Sequence, residues 1–195
     1  QAVLLNGETV TGITTMRMDE GWDTGDLLLS RQIPIRPEDN FGTLHDRLAA
    51  LGGEVLLETL AGLATGKVQP VPQNHDQATY VPKLTEEDLL LPWTASTVSL
   101  HNRIRAFAPA PGARTFLNGE MLKVWAAYPG QGWYGLEHAK PGTIGTVTKE
   151  QGGGLPVRTG DGVLLITEIQ SPGKKRLPIL QFLAGNPLSA GIILG

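Results

Sequence analysis

The sequence predicts an α/β segment followed by a small β-barrel, and three observations carry that expectation. The first 67 residues hold two strand-like runs and then a long stretch of leucines at helical spacing. Residues 68–84 are proline-rich and lack periodicity, as in an extended linker. From residue 85 onward short apolar runs alternate with glycine turns, the pattern of a small barrel.

The elements follow in order. "GITTMRM" (Gly12–Met18) is rich in β-branched residues and reads as a strand; "LLLSRQIPI" (Leu27–Ile35) reads as a second, ended by Pro37. Leu44, Leu48, Leu51, Val55, Leu56, Leu60 and Leu63 recur every three or four residues, as on one face of a helix. Thr43 with Asp46 three residues on resembles a capping box, and Gly66 is a natural stop. Gly52–Gly53 costs such a helix on the order of 1 kcal/mol each, which points to a kink or a close approach. "TASTVSLHNRIRAF" (Thr94–Phe107) predicts a helix capped by Thr94 or Ser96 and stopped by "APAPGA". The strands of the barrel are "ARTFL", "MLKVWAAY", "GTIGTV", "LPVRTG" and "GVLLITEIQ". Asn118–Gly119 and Asp161–Gly162 are hairpin signals, and "LPILQFLAG" predicts a closing helix. "GGG" (Gly152–Gly154) reads as a hairpin tip rather than a phosphate cradle, and "SPGKKR" lacks the glycine spacing of a phosphate loop.

With 195 residues, 41% of them hydrophobic, the chain can bury a real core. No apolar run reaches the roughly 18 residues of a membrane span, and no secretory signal opens the chain. Cysteine is absent, which excludes disulfides and thiolate chemistry and fits a cytoplasmic protein. The net charge of −3 hides an asymmetry: residues 1–84 hold 6 basic and 11 acidic side chains, residues 85–195 hold 10 and 8. An acidic front and a mildly basic back suggest two units with different partners.

The functional signal is "RMDEGWDTGDLLLS", which sets Asp19, Glu20, Asp23 and Asp26 within eight residues between the first two strands. It is not a calcium loop, because Gly21 stands where a ligand should and position twelve is Ser30. His45, His75, His101 and His138 lack metal-site spacing, so no metal is expected. A loop following a strand of an α/β fold is where such folds place ligands. Trp22 could cover a flat aromatic ligand, and Gly21 and Gly25 would allow close backbone approach. A carboxylate there could hold an imidazolium or shuttle a proton.

"GITTMRMDEGWDTGDLLL" resembles the active-site strand–loop–strand of the methionyl-tRNA formyltransferases, within the folate-dependent formyltransferases. "GTLHDRLAALG", "YVPKLTEEDLLLPW", "RIRAFAPAPGA" and "GDGVLLITEIQSPGKKRLPILQFLAG" resemble its later segments, so the match covers essentially the whole chain. The resemblance implies a partial Rossmann-like formyltransferase domain in residues 1–67, a linker at 68–84 and an OB-like, tRNA-binding domain in 85–195. It implies formyl transfer from 10-formyltetrahydrofolate to the amino group of methionyl initiator tRNA, with Asp23 catalytic and Asp19, Gly21 and Trp22 at the folate. Basic candidates for the tRNA are Lys83, Arg103, Arg105, Lys123, Lys174, Lys175 and Arg176. Glu86 stands where the family often carries a second lysine.

The family's Asn-x-His and "SLLP" segments are not found in this chain, and Gln1 corresponds to a point inside the family's first domain. The expectation is therefore a carboxy-terminal fragment, inactive alone, from an enzyme that is a monomer; the fragment itself could associate through exposed strand edges. Rival expectations are an amino-sugar formyltransferase, an RNA-binding OB module without catalysis, and a scaffold that binds no RNA.

Overall fold

The computed structural model describes residues 1–149 and 153–195; Gly152 of the "GGG" tip lies outside the described residues. The chain forms two compact units, Glu8–Lys83 and Gln1–Gly7 together with Leu84–Gly195. No helix among the described residues is long and apolar enough to cross a membrane.

In the Glu8–Lys83 unit, β1 (Val10–Met16) and β2 (Leu27–Pro34) form an antiparallel pair, with Val10 opposite Pro34 and Thr14 opposite Ser30. The register slips between Thr15 and Met16, where the chain leaves for the acidic loop. α2 (Phe41–Ala64) lies on this pair. The Thr15 hydroxyl meets that of Thr59 at 2.8 Å, and Thr59 donates to the Val55 carbonyl at 2.7 Å.

The start of α2 differs from the expectation. Asn40, not Thr43, is the N-cap: its Oδ1 accepts from the Thr43 N–H, and the Thr43 hydroxyl accepts from the Asn40 N–H, each at 3.0 Å. The cap sits three residues earlier because Asp39, 3% exposed, anchors the turn. Its carboxylate accepts from the Arg36 N–H and the Thr43 hydroxyl and pairs with Arg47. Burial raises the Asp39 pKa, but the Arg36 N–H, Arg47 and Thr43 together hold it below the usual carboxylate value. Nothing lies within 4 Å of where a Cβ would project from Gly52 or Gly53, so the expected close approach is not found. Leu44 and Val55 are buried, whereas Leu56, Leu60 and Leu63 are exposed, because two strands cannot cover a 24-residue helix.

The segment expected as an extended linker is docked in part on the first unit. Val71 exchanges two backbone hydrogen bonds with Leu27, at 2.8 and 2.9 Å, and a short 3-10 turn follows at His75–Gln77.

In the second unit, α1 (Ala2–Leu5) packs on α3 (Thr97–Ala106), which is capped by Ser96. The sheet is antiparallel, ordered β3 (Ala113–Leu117), β4 (Glu120–Pro129), β6 (Val163–Gln170), β5 (Leu155–Arg158), with β7 (Leu177–Pro178) also pairing β6. α4 (Ile179–Gly185) closes it. Leu100, Ile104, Phe107, Val124, Leu164 and Ile166 centre the core.

Asn118 and Gly119 turn the β3–β4 hairpin with φ of 51° and 83°, the two positive values that a two-residue turn demands. Asp161–Gly162 does not make such a turn. Arg158 pairs Val163 across a four-residue loop, and the Asp161 carboxylate instead accepts from the Thr97 N–H at 2.7 Å and hydroxyl at 2.9 Å. "GTIGTV" is not a strand but a set of single bridges, Thr143 to Ile193 and Ile144 to Val157. The facing Pro156 has no N–H with which to extend a ladder.

The acidic loop and the basic surface

The loop between β1 and β2 is folded by its own side chains. Asp19 accepts through Oδ1 from the Thr24 hydroxyl at 2.7 Å and from the Gly21 N–H at 3.0 Å. Thr24, then Gly21, hold its pKa below the usual value, and one carboxylate oxygen serves the turn. The neck is closed by the Arg17 N–H donating to the Asp26 carbonyl at 2.8 Å. The glycines serve the loop itself: a Cβ on Gly25 would sit 1.6 Å from the Arg17 carbonyl oxygen, and one on Gly21 2.1 Å from the Thr24 hydroxyl.

Asp23 occupies the left-handed region, φ 54°, and is exposed. Among the described residues its carboxylate has no partner. Met16, Met18, Asp19, Gly21, Trp22 and Asp23 line a cavity of about 170 Å³. Trp22 is 93% exposed and Met18 is nearly as open. The backbone of the loop is held from outside by Gln73, whose Nε2 donates to the carbonyls of Asp23 at 2.8 Å and Gly25 at 2.6 Å. Sequence reasoning missed Gln73, which lies 50 positions away among prolines with no motif around it.

The basic candidates divide. Arg103 donates to the Asp88 and Leu90 carbonyls, and Arg105 donates to Asn102 Oδ1 at 3.0 Å, so both guanidinia are engaged within the unit. Lys83 is exposed in the other unit. Lys123 and Arg176 converge on Trp125, at 5.5 and 5.1 Å from its ring centre. The Trp125 N–H donates to Gln170 Oε1 at 3.0 Å, and Gln170 Nε2 donates to the Lys174 carbonyl at 2.7 Å. This pins the Lys174–Lys175–Arg176 turn beside Lys123, with Lys174 and Lys175 exposed. Arg176 also pairs Glu168, and Lys123 donates to the Pro111 carbonyl at 2.9 Å. Trp125 and Gln170 were not foreseen; the Lys123–Gln170 register across β4 and β6 is what assembles the group. Glu86 pairs with Arg114.

The ring of His101 bonds the Ala127 carbonyl at 3.0 Å, and burial lowers its pKa. Among the described residues no group of three or more His, Cys, Asp or Glu gathers to hold a metal ion.

The model of the formyl transferase C-terminal domain matches residues 83–187, and that of the formyl transferase domain matches residues 1–60. The chain belongs to the formyl transferase family. Among relatives, the methionyl-tRNA formyltransferase of Syntrophus aciditrophicus is 44% identical over 192 residues, 98% of this chain and 60% of that protein. That of Geobacter sulfurreducens is 47% identical over 193 residues, 98% of this chain and 58% of its own length. The chain thus spans about three-fifths of the curated relatives it matches. Among solved structures, HypX from Aquifex aeolicus in complex with tetrahydrofolic acid matches with TM-score 0.69 at 24% identity, over 93% of this chain and 31% of that one. Methionyl-tRNA formyltransferase from Clostridium thermocellum matches with TM-score 0.50 at 15% identity, over 83% and 61%. At these identities the structures establish a shared formyltransferase fold.

Proposed function

We propose that this chain carries the aspartate-bearing part of a formyl-transfer centre that passes the formyl group of 10-formyltetrahydrofolate to the amino group of methionyl initiator tRNA in the cytoplasm. The observation that carries the reading is the division of labour in the acidic loop. Asp19 helps to fold it through Oδ1, and Asp23 is left with an unpaired carboxylate beside a cavity walled by Met18 and Trp22. The loop motif, and relatives at 44% and 47% identity named methionyl-tRNA formyltransferase, support it.

Attack of an amine on a formyl carbon builds an oxyanion and a cationic nitrogen. Asp23 meets the second need: its carboxylate either takes the proton from nitrogen or holds an imidazole that does. A cavity of about 170 Å³ is smaller than the ~300 Å³ at which small-ligand sites begin, so the loop supplies one wall of a folate site rather than the whole. The exposed indole of Trp22 suits the flat ring system, and Asp19 and Gly21 shape the loop that presents it. The folate brings the activated formyl group; orienting the attacking amine and managing its proton fall to the protein.

On this reading residues 1–67 end the catalytic domain, 68–84 are the linker and 85–195 form the OB-like domain that holds the tRNA. Lys123, Lys174, Lys175 and Arg176 around Trp125 are its phosphate contacts, with Lys83 on the linker. The engaged guanidinia of Arg103 and Arg105 are set aside. The test is formylation of methionyl-tRNA by this chain joined to the upstream part of a relative. Asp23→Ala should cost at least about 100-fold in kcat, and the 195 residues alone should give no turnover. An undiminished rate in the variant, or turnover by the chain alone, refutes the proposal.

A further inference from the structure

We infer that Gln73 is a positioning residue for Asp23, a latch from outside the motif that sets the backbone of the acidic loop. The inference rests on the formyl-transfer reading of that loop, while its first test does not.

Both groups that face the Gln73 amide are carbonyl oxygens, those of Asp23 and Gly25. Carbonyls only accept, so the nitrogen must face them, and its two N–H groups match the two acceptors. The bonds bracket Thr24, whose hydroxyl holds Asp19; one side chain therefore ties both halves of the loop. Asp23 needs such a tie. Its φ of 54° lies outside the region most residues adopt, and such conformations persist where the surroundings over-determine them.

Gln73 is itself held in place. Two residues earlier, Val71 is bound through both its N–H and its carbonyl to Leu27, the first residue after the loop. Pro70 and Pro72 flank Val71 and fix φ at about −65° on either side. The reach from the start of β2 to the two carbonyls is thus set by backbone, with one side chain completing it. Without the latch the loop loses the only bonds in the described residues that fix the Asp23 peptide, and its Asp19 turn and neck bond, no longer backed from outside, open more often. A misplacement of about 1 Å in a reacting group can cost on the order of 100-fold in rate.

Amide hydrogen exchange on the 195-residue chain tests this, with Gln73→Ala and the isosteric Gln73→Glu, which at neutral pH has no donor. Exchange at Arg17, bound to Asp26, and at Gly21, bound to Asp19, should accelerate at least tenfold in both variants. The β1–β2 ladder and α2 should stay within twofold. Unchanged exchange at Arg17 and Gly21 overturns the inference. So does acceleration only in step with β1, β2 and α2, since Gln73 would then support the unit and not the loop. In the joined enzyme, Gln73→Ala should lower kcat about 100-fold and leave the KM for methionyl-tRNA within twofold; a KM effect alone also overturns it. If exchange responds while Asp23→Ala remains fully active, the latch stands and the functional reading fails.

Discussion

Replacing Lys174 and Lys175 together by alanine tests the proposal that the second unit meets RNA through this turn. Both are exposed, and the backbone of their turn is held by Gln170. Neither side chain is needed to keep the turn, so the double variant removes charge without removing structure. Each phosphate bound by a lysine adds roughly 0.7–0.9 to the slope of log K against log salt concentration. Removing two such lysines should flatten the slope by about 1.5. Between about 50 and 200 mM salt, a fourfold change, the wild-type chain should then lose roughly ten times more affinity for initiator tRNA than the variant. Filter binding across that range reads both curves. Arg103→Ala is the control: its guanidinium donates to the Asp88 and Leu90 carbonyls, so it should leave the slope unchanged even where it weakens the fold. Equal slopes for the double variant and the wild type, or a slope lowered as much by Arg103→Ala, would refute the assignment of the basic surface.

Two further outcomes concern the Glu8–Lys83 unit. Asp39→Asn should destabilise it by about 2–3 kcal/mol, somewhat under the cost of breaking a fully buried ion pair because Arg47 is a quarter exposed, as read by urea unfolding. The native Asp39 pKa is lowered, so its contribution is fully present above the unfolded value and is lost as pH falls through the folded one; the variant should show a shallower acid limb. Gly53→Ala should stabilise α2 by about 1 kcal/mol, because nothing stands in the way of the added methyl; a loss of stability in the same titration would mean that the glycine is required for some other reason.

The parts legible in the sequence are those fixed by neighbours in the chain. The β1–β2 pair, α2, α3 and the Asn118–Gly119 turn follow from periodicity and local turn chemistry. What escaped was decided at a distance or by competition. Asp161–Gly162 carries a hairpin signature, yet Asp161 is drawn 64 positions back to the first turn of α3. Thr43 looks like a cap, but Asn40 is better placed because buried Asp39 fixes the turn before it. Leu56, Leu60 and Leu63 continue an unbroken stripe, yet periodicity cannot report how much sheet is present to cover it.

The candidate site shows the same boundary from the other side. A run of four acids suggests one collective role, such as a cation site; composition and spacing do not tell the members apart, and only the motif's family resemblance singles out Asp23. The fold separates Asp19 from Asp23 by what each carboxylate touches. Asp19 finds a hydroxyl and an N–H within its own turn, both on Oδ1, which lowers its pKa and makes it a weaker proton acceptor. Asp23, in the left-handed region, finds neither among the described residues. The glycines follow the same logic: Gly25 is required by the Arg17 carbonyl, not by a ligand. A loop whose shape is satisfied internally, and pinned by Gln73 from outside, needs no ligand to order it. On the proposed formyl-transfer reading, the Asp23 carboxylate at the cavity, without a partner among the described residues, is the group left to meet charge that develops only during reaction, the condition for stabilising a transition state more than a ground state.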